Sequence, residues 1–220
     1  MQIAWITGAR SGIGKSVADY LEGQNYSVKR LTRSDFDLIN EDQIAKWLSS
    51  NSETPDLLVC NAGINQVQNL ENFSKKDFNK VFDSNFTGHA NLTLGILPRM
   101  VKNRGGRIVF ISSAYTTKAR IGRFPYSASK VVLDAFMKSI AVEYAGKNIL
   151  ANSIAPGFIE TELTKKNNSS EEIIRILSRI PLNKLGLPED VAQLVAYLGS
   201  RNNNYITGQI INIDGGFSIT

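Results

Sequence analysis

A tyrosine and a lysine four positions apart, Tyr126 and Lys130, have the types and spacing to move a proton. On a helix, such side chains lie on one face, one turn from each other. A free tyrosine has a pKa near ~10 and is a poor acid or base at neutral pH. A neighbouring ammonium lowers that pKa, so the pair could give a proton to a carbonyl oxygen or take one from an alcohol. The same spacing also arises by chance on many surface helices.

A glycine-rich turn near the N-terminus could bind phosphate. Residues 2–6 form a short apolar run, and a helical pattern follows to about residue 22. A strand, a glycine turn and a helix together present backbone N–H groups to a pyrophosphate. The glycine spacing differs from the commoner G-x-G-x-x-G, and an ordinary strand–helix turn is the alternative. The residues predicted to bind a cofactor here are Gly8, Arg10, Ser11, Gly12, Ile13 and Gly14.

The end of the second predicted strand, residues 26–32, bears on the choice of cofactor. Proteins that prefer NAD usually carry an Asp or Glu there for the ribose hydroxyls. This chain has Thr32 followed by Arg33, with Arg10 in the glycine turn. A guanidinium can bind a 2′-phosphate through two hydrogen bonds. We therefore favour NADP(H) over NAD(H), although both arginines could be solvated surface charges.

The segment 33–40 is too short to hold a crossover helix before the helix predicted at 41–50. We expect the chain to enter a short third strand near residues 37–38 instead. Asp37 would then reach the adenine of the cofactor. A surface carboxylate beside the helix is the alternative for Asp37.

Strands and helices alternate along residues 1–220. Further strands are predicted at 56–60, 107–111, 149–154 and 209–213, and long helices at about 75–102, 126–146 and 188–198. This alternation predicts an α/β protein with one Rossmann-type, doubly wound parallel sheet and helices on both faces. We expect a single domain in which the polar segment at about 158–180 forms a lid.

Composition argues against several classes of function. The net charge is +5, but no block of five like charges is present, so nucleic acid is not an expected partner. No apolar run approaches the ~20 residues of a membrane span. Cys60 and His89 are the only residues of their types, so no metal site is expected. A lone cysteine fits a reducing cytoplasm.

Several motifs occur in one order: TGARSGIG at 7–14, CNAG at 60–63, Asn85, Ser113, Tyr126 with Lys130, and Pro156-Gly157. Over essentially the whole chain they resemble the short-chain dehydrogenase/reductase family. The resemblance implies that Tyr126 is the acid/base and that Lys130 lowers its pKa and binds the nicotinamide ribose. It implies that Ser113 binds the substrate oxygen and that Asn85 holds a water linking Lys130 to solvent.

The resemblance extends to the rest of the cofactor site. Small residues where a strand ends allow a ligand to approach closely, and the family's remaining contacts follow the fifth and sixth predicted strands. Relative to the family, the segment 33–40 is short, which affects the adenine contacts most. The further cofactor residues implied are Asn61, Ala62, Gly63, Tyr126, Lys130, Pro156, Gly157, Ile159 and Thr161.

Two observations concern the substrate. The chain resembles family members that reduce 3-oxoacyl thioesters on an acidic carrier protein, and Arg104 and Lys147 match their docking positions. Basic residues at helix ends are also common for other reasons. In addition, five basic residues surround the expected site, which favours an anionic substrate. They are Lys118, Arg120, Arg123, Lys165 and Lys166, of which Arg120 and Arg123 are the substrate candidates.

The favoured function is NADPH-dependent reduction of a ketone, including a 3-oxoacyl thioester or another anionic substrate. The alternatives are an NAD(P)-dependent alcohol or sugar-derivative dehydrogenase and a dinucleotide-binding regulator without catalysis. The family usually assembles as homodimers or homotetramers through its two long helices, so we expect a homo-oligomer. A cytoplasmic location and no membrane partner are expected.

Overall fold

The computed structural model describes all residues, Met1–Thr220. Its strands are β1 (Gln2–Thr7), β2 (Tyr26–Leu31), β3 (Leu57–Cys60), β4 (Gly106–Ile111), β5 (Ile149–Pro156) and β6 (Ile210–Ile213). Its helices are α1 (Gly12–Gly23), α2 (Glu41–Ser50), α3 (Lys75–Phe82), α4 (Gly88–Lys102), α5 (Phe124–Tyr144), α6 (Glu162–Lys166), α7 (Ser170–Leu177) and α8 (Pro188–Gly199).

The six strands form one parallel sheet in the order β2-β1-β3-β4-β5-β6. The order reverses at β1, because the chain runs first to β2 on one side and then to β3 on the other. Ligands of such sheets bind outside the carboxyl ends of the strands at this reversal. The predicted doubly wound Rossmann-type fold is confirmed.

Two hydrophobic cores lie on opposite faces of the sheet because strand side chains alternate in direction. In β4, Ile108 and Phe110 join the core under α2, α4 and α5, whereas Val109 and Ile111 join the core under α1 and α8. The sheet is thus covered on both faces, and its carboxyl edge is left for a ligand.

The third strand expected near residues 37–38 is wrong. Residues 32–40 form turns, and β2 is left as the edge of the sheet. The Asp35 carboxylate accepts a hydrogen bond from the Thr32 N–H at 2.8 Å, which closes a turn directly after β2. Phe36 is buried against Trp47 of α2, so the segment packs onto the helix layer and does not extend the sheet.

The single helix expected over 75–102 is interrupted. Residues Asp83–Thr87 form one π-helical turn between α3 and α4. Such turns insert an extra residue into a helix and often occur at functional sites. This one contains Asn85, which is fully buried.

The expected lid contains α6 and α7, and a small third core of Ala114, Ile176, Ile180 and Phe217 attaches it to the protein. A capping box formed by Ser169 and Glu172 begins α7. None of the helices combines the length and the apolar character needed to cross a lipid bilayer.

Candidate active site

A crevice of about 550 Å³ lies at the carboxyl edge of the sheet. This volume is within the range of small-molecule and cofactor sites. The first turn of α1, which has free backbone N–H groups, opens into it. The predicted cofactor residues that line the crevice are Gly8, Arg10, Ser11, Gly12, Ile13, Arg33, Asp37, Asn61, Ala62, Gly63, Tyr126, Lys130 and Thr161.

The glycine turn is shaped by positions that exclude a Cβ atom. Gly8 and Gly12 have φ of +68° and +53°, a region that favours glycine. Gly14 does not line the crevice but lies beneath it, where a Cβ would be 2.5 Å from the Gly8 carbonyl oxygen and also too close to Asn61 Nδ2. Asn61 in turn donates to the Thr7 carbonyl at 2.9 Å. These contacts form a close-fitting cradle that fits the pyrophosphate of a dinucleotide.

Replacing Gly14 with Ala is expected to lower stability by about 1–3 kcal/mol and to weaken dinucleotide binding, because the added methyl must displace backbone. Urea denaturation and a fluorescence titration with NADPH measure the two effects. Gly23→Ala is the matched control, since its Cβ would meet nothing within 4 Å. An equal loss in both variants would contradict the role given to Gly14.

Arg10 and Arg33 are exposed at one end of the crevice, and neither forms an ion pair within the chain. The acidic residue nearest the end of β2, Asp35, is engaged with Thr32 and does not line the crevice. Asp37 does line it, and its carboxylate accepts from the Ile39 N–H at 3.3 Å. This end therefore presents two free guanidiniums and one carboxylate.

Lys130 lies at the other end of the crevice. Its Nζ donates to the Ile111 carbonyl oxygen at 2.7 Å, and its side chain is only 3% exposed. A Cβ on Gly63 would be 3.6 Å from Lys130 Nζ and 3.1 Å from Asn85 Oδ1, so both side chains border the same glycine. The Asn85 side chain binds both backbone groups of Ile64 and also donates to Ser129 Oγ at 3.1 Å. Asn85 thus fastens the loop after β3 to α5.

Tyr126 is partly exposed at the crevice, and Ser113 is buried beside it. Burial raises the pKa of the Tyr126 phenol, while the Ser113 hydroxyl and then the Arg123 guanidinium lower it. We expected Lys130 to lower this pKa, but it is not among the groups that do so here. Its Nζ is 5.9 Å from the centre of the Tyr126 ring and is held by Ile111.

The neighbouring serine, Ser112, points into the protein. Its hydroxyl donates to the Asp134 carboxylate at 2.8 Å, inside the protein. Burial raises the pKa of Asp134, and Asp134 raises the pKa of Lys130. Burial of Lys130 is the larger effect and lowers its pKa to about 8.

Lys130→Met is expected to stabilise the protein at pH 7 while removing activity. Unfolded lysine has a pKa near 10.5, so unfolding takes up a proton between pH 8 and 10.5 and the penalty of the buried ammonium is complete below pH 8. The difference corresponds to about 3 kcal/mol, and the lost charge-assisted bond to the Ile111 carbonyl offsets about 1.5–3 of it, which leaves a gain of up to about 1.5 kcal/mol. Urea denaturation should show a gain at pH 7 that shrinks by pH 9.5. A destabilised variant at pH 7 would contradict this.

Besides Gly14, three predicted cofactor residues lie away from the crevice lining. The carbonyl end of β5, Pro156, pairs with Ile213, and the Gly157 N–H donates to the Ile213 carbonyl at 2.8 Å. Ile159 is buried in the core under α1 and α8. Thr161, which does line the crevice, begins α6 and accepts from the Thr164 N–H. The first three residues therefore position this loop and do not face the cavity.

The five basic residues expected around the site differ in their partners. Lys118 Nζ donates to the carbonyl oxygens of Phe217 and Thr220, and Lys165 pairs with Glu160 at 3.5 Å. Arg120 donates to Tyr115 and Asn168, which connects the loop after β4 to the segment between α6 and α7. Lys166 is exposed. Arg123 is 97% buried, and no protein group binds its Nε or Nη1.

His89 supports the crevice from below, a role that was not predicted from the sequence. Its Nε2 lies 2.7 Å from the Ala62 carbonyl oxygen, directly under the crevice. Burial lowers its pKa to about 4, so the ring is neutral at physiological pH and its Nε2–H is the donor. Its position one helical turn after Asn85 is the signal that could have identified it.

Known proteins that are similar in sequence to this chain point to one family. Residues 34–218 match the family model described as enoyl-(acyl carrier protein) reductase. The chain is 36% identical to 3-oxoacyl-(acyl-carrier-protein) reductase of Rickettsia prowazekii over 96% of this chain and 94% of that protein. It is also 36% identical to the reductase of the same name from Thermotoga maritima, over 99% and 98%.

A solved structure agrees. Ligand-free aldohexose dehydrogenase of Thermoplasma acidophilum superposes with a TM-score of 0.91 at 26% identity, covering 100% of this chain and 94% of that one. The resemblance seen in the sequence is thereby confirmed. The chain belongs to the short-chain dehydrogenase/reductase family, is similar to 3-oxoacyl-(acyl-carrier-protein) reductase, and is an NAD(P)-dependent oxidoreductase acting on CH–OH or C=O groups.

Proposed function

We propose that this protein reduces a ketone to a secondary alcohol with NADPH. The observation that carries the proposal is that Tyr126 and Lys130 both line the crevice, with Lys130 Nζ 5.9 Å from the centre of the Tyr126 ring, while the Ser113 hydroxyl lowers the pKa of the phenol. A proton donor, a second hydroxyl and a cation thus meet where the cofactor cradle ends. This arrangement can stabilise and protonate an alkoxide.

Each residue has a chemical role in this proposal. When bound, the nicotinamide supplies a hydride to the carbonyl carbon. Tyr126 gives its phenolic proton to the carbonyl oxygen, and the Ser113 hydroxyl donates a hydrogen bond to the same oxygen. Lys130 binds the cofactor's ribose and returns a proton to Tyr126. Asn85 acts as a positioning residue through its bonds to Ile64 and Ser129.

The reductive direction is supported by the state of Tyr126. Burial raises the pKa of this phenol, so it carries its proton at neutral pH. A protonated phenol holds the proton that reduction of a ketone consumes, whereas oxidation of an alcohol starts from the phenolate. Alcohol or sugar-derivative oxidation remains the second candidate function, and it is favoured by alkaline pH for the same reason.

The preference for NADP(H) rests on Arg10 and Arg33. Both are exposed in the crevice without an ion-pair partner, and the Asp35 carboxylate is turned into its own loop. Free guanidiniums favour a ribose that carries a 2′-phosphate over one that carries two hydroxyls.

Within one chain, the two candidate docking residues lie far from Tyr126, which argues against a substrate bound to a carrier protein. Arg104 follows α4, and Lys147 precedes β5, so both lie at the amino-terminal edge of the sheet. Tyr126 is at the carboxyl edge, at the opposite end of the strands. We therefore favour a small ketone as the substrate.

We also propose that the protein forms a homo-oligomer through α5. Val131, Val132 and Val142 of this helix are exposed, whereas Leu133 and Ile140 belong to the core. Exposed apolar side chains on a long helix suit an interface between subunits. A reducing cytoplasm is the proposed location, because Cys60 is buried and unpaired.

The proposed function is tested by following absorbance of reduced cofactor with a panel of ketones, 3-oxoacyl thioesters and alcohols. The proposal predicts consumption of NADPH with ketones and slower turnover with NADH. Tight dinucleotide binding without turnover of any compound would instead favour the regulator. Turnover restricted to alcohols plus the oxidised cofactor would favour the dehydrogenase.

A further inference from the structure

One buried cation near Tyr126 has no use in the chemistry described so far. Arg123 precedes the first residue of α5, and its side chain is 97% buried. Two of its guanidinium nitrogens, Nε and Nη1, lack any hydrogen-bond partner in the protein. No carboxylate forms an ion pair with it. A buried guanidinium without partners is unfavourable unless a ligand supplies them.

The groups around Arg123 do not neutralise its positive charge. Arg120 is close enough to lower the pKa of the Arg123 guanidinium, after burial and the opposing effect of Tyr115. The nearest acid, Glu172, already accepts from the Ser169 N–H in the capping box of α7, and one of its oxygens is 3.9 Å from Arg120. Arg120 itself is occupied by Tyr115 and Asn168. The donors left free therefore belong to Arg123.

Arg123 lies outside the crevice that is assigned to the dinucleotide. Arg123 does not line the crevice that begins at the glycine turn, although Tyr126 does. Arg123 nevertheless lies near enough to Tyr126 to lower the pKa of its phenol. The cation is thus beside the acid and outside the cofactor cradle, which is where the remainder of a substrate has to lie.

We propose that Arg123 binds a carboxylate of the substrate, and that the substrate is a small oxo acid with its carboxylate next to the reacting ketone. The inference rests on the proposed function, because it takes Tyr126 as the proton donor. The guanidinium fork matches a carboxylate through two parallel hydrogen bonds. Because Arg123 stands only three residues before Tyr126, the anion and the ketone belong to one short molecule. A thioester, which has no charge beside its ketone, would leave Arg123 without a partner.

The kinetic test compares 2-oxo and 3-oxo acids with their methyl esters in wild type and in Arg123→Gln. The proposal predicts that wild type prefers the acids, and that Arg123→Gln raises KM for the acids about 100-fold while changing KM for the esters less than about threefold. Arg123→Lys should recover part of the loss. Arg175→Gln, an equivalent change at an exposed position of α7, should leave both unchanged.

A binding test does not depend on turnover. Calorimetric titration of the oxo acids into protein, with and without the oxidised cofactor NADP⁺, should give an affinity that Arg123→Gln weakens about 100-fold. If no ketone is reduced but this binding persists, the proposed function fails and the carboxylate site stands. If ketones are reduced but acids and esters bind alike, the carboxylate site fails and the proposed function stands.

Three other outcomes would overturn the proposal. Equal losses of kcat for acids and esters in Arg123→Gln, with a shifted pH profile, would mean that Arg123 only adjusts the Tyr126 phenol. A lowered melting temperature with equal losses would mean a structural role. A preference for phosphorylated ketones over oxo acids, lost in Arg123→Gln, would assign the site to phosphate.

Discussion

Replacing Tyr126 with Phe is expected to lower kcat by about 10³- to 10⁴-fold. The change removes the proton donor and one of the two hydroxyls facing the developing alkoxide, effects worth about 10²- to 10⁴-fold and 10²- to 10³-fold when measured singly. They overlap, so they do not multiply. Affinity for NADPH should stay within about threefold, because the ring remains in place. Steady-state kinetics with the best ketone and a fluorescence titration measure the two quantities.

The control for this variant is Tyr115→Phe. Tyr115 also lies near Tyr126, but its hydroxyl accepts a hydrogen bond at 2.8 Å from Arg120, which also binds Asn168. We expect less than about a tenfold loss of kcat, because this charge-assisted hydrogen bond contributes to stability and Tyr115 gives no proton to the ketone. A Tyr126→Phe enzyme with more than a tenth of wild-type kcat would remove Tyr126 from its role as the acid.

The double change Arg10→Ser with Arg33→Ser is expected to reduce the preference for NADPH over NADH by about 100-fold, measured as the ratio of kcat/KM values. Each charge-assisted hydrogen bond to a 2′-phosphate contributes about 1.5–3 kcal/mol, and two arginines at one group are not additive. The kcat/KM measured with NADH should change little, because NADH carries a 2′-hydroxyl where NADPH carries the 2′-phosphate.

Arg201→Ser is the control for general charge, since it removes an exposed arginine that does not line the crevice. High salt should also narrow the wild-type preference, because both guanidiniums are exposed and therefore screened. Equal losses with NADPH and NADH in the double variant would show that these arginines act only as a general positive field.

The fold was predictable because its signals are repeated along the chain. Apolar strand patterns ending in Gly, Ser or Asn recur between helical patterns, and each such unit supports the same parallel sheet. The glycine turn was predictable at the level of single residues, since a positive φ at Gly8 and Gly12 leaves little choice of residue type.

Other local features were not predictable because they depend on long-range contacts. The 33–40 segment forms turns because Phe36 packs against Trp47. The hydrophobic pattern of the sequence does not reveal this contact. The π-helical turn contains Asn85, whose side chain is hydrogen-bonded to the backbone of Ile64, 21 residues away in the sequence. Neither the turns at 33–40 nor the π-helical turn alters the hydrophobic pattern from which helices and strands are predicted.

Among the candidate site residues, type alone could not separate bound from free charges. Lys118, Arg120 and Arg123 are equivalent in the sequence. In the structure the first binds the C-terminal carbonyls, the second binds Asn168, and only the third keeps buried nitrogens without a partner. Likewise, the spacing of Tyr126 and Lys130 identified the pair, but Lys130 is held by Ile111 and does not govern the Tyr126 pKa.

The most direct measurement of the central claim follows the hydrogen atom itself. NADPH deuterated at C4 of the nicotinamide is incubated with the protein and a ketone, and the alcohol is analysed by mass spectrometry. The account predicts one deuterium on the carbinol carbon from one face of the nicotinamide, at a rate that Tyr126→Phe reduces about 10³-fold or more. Alcohol without deuterium from both of the two C4-labelled stereoisomers, or deuterium transfer that Tyr126→Phe does not slow, would contradict the account.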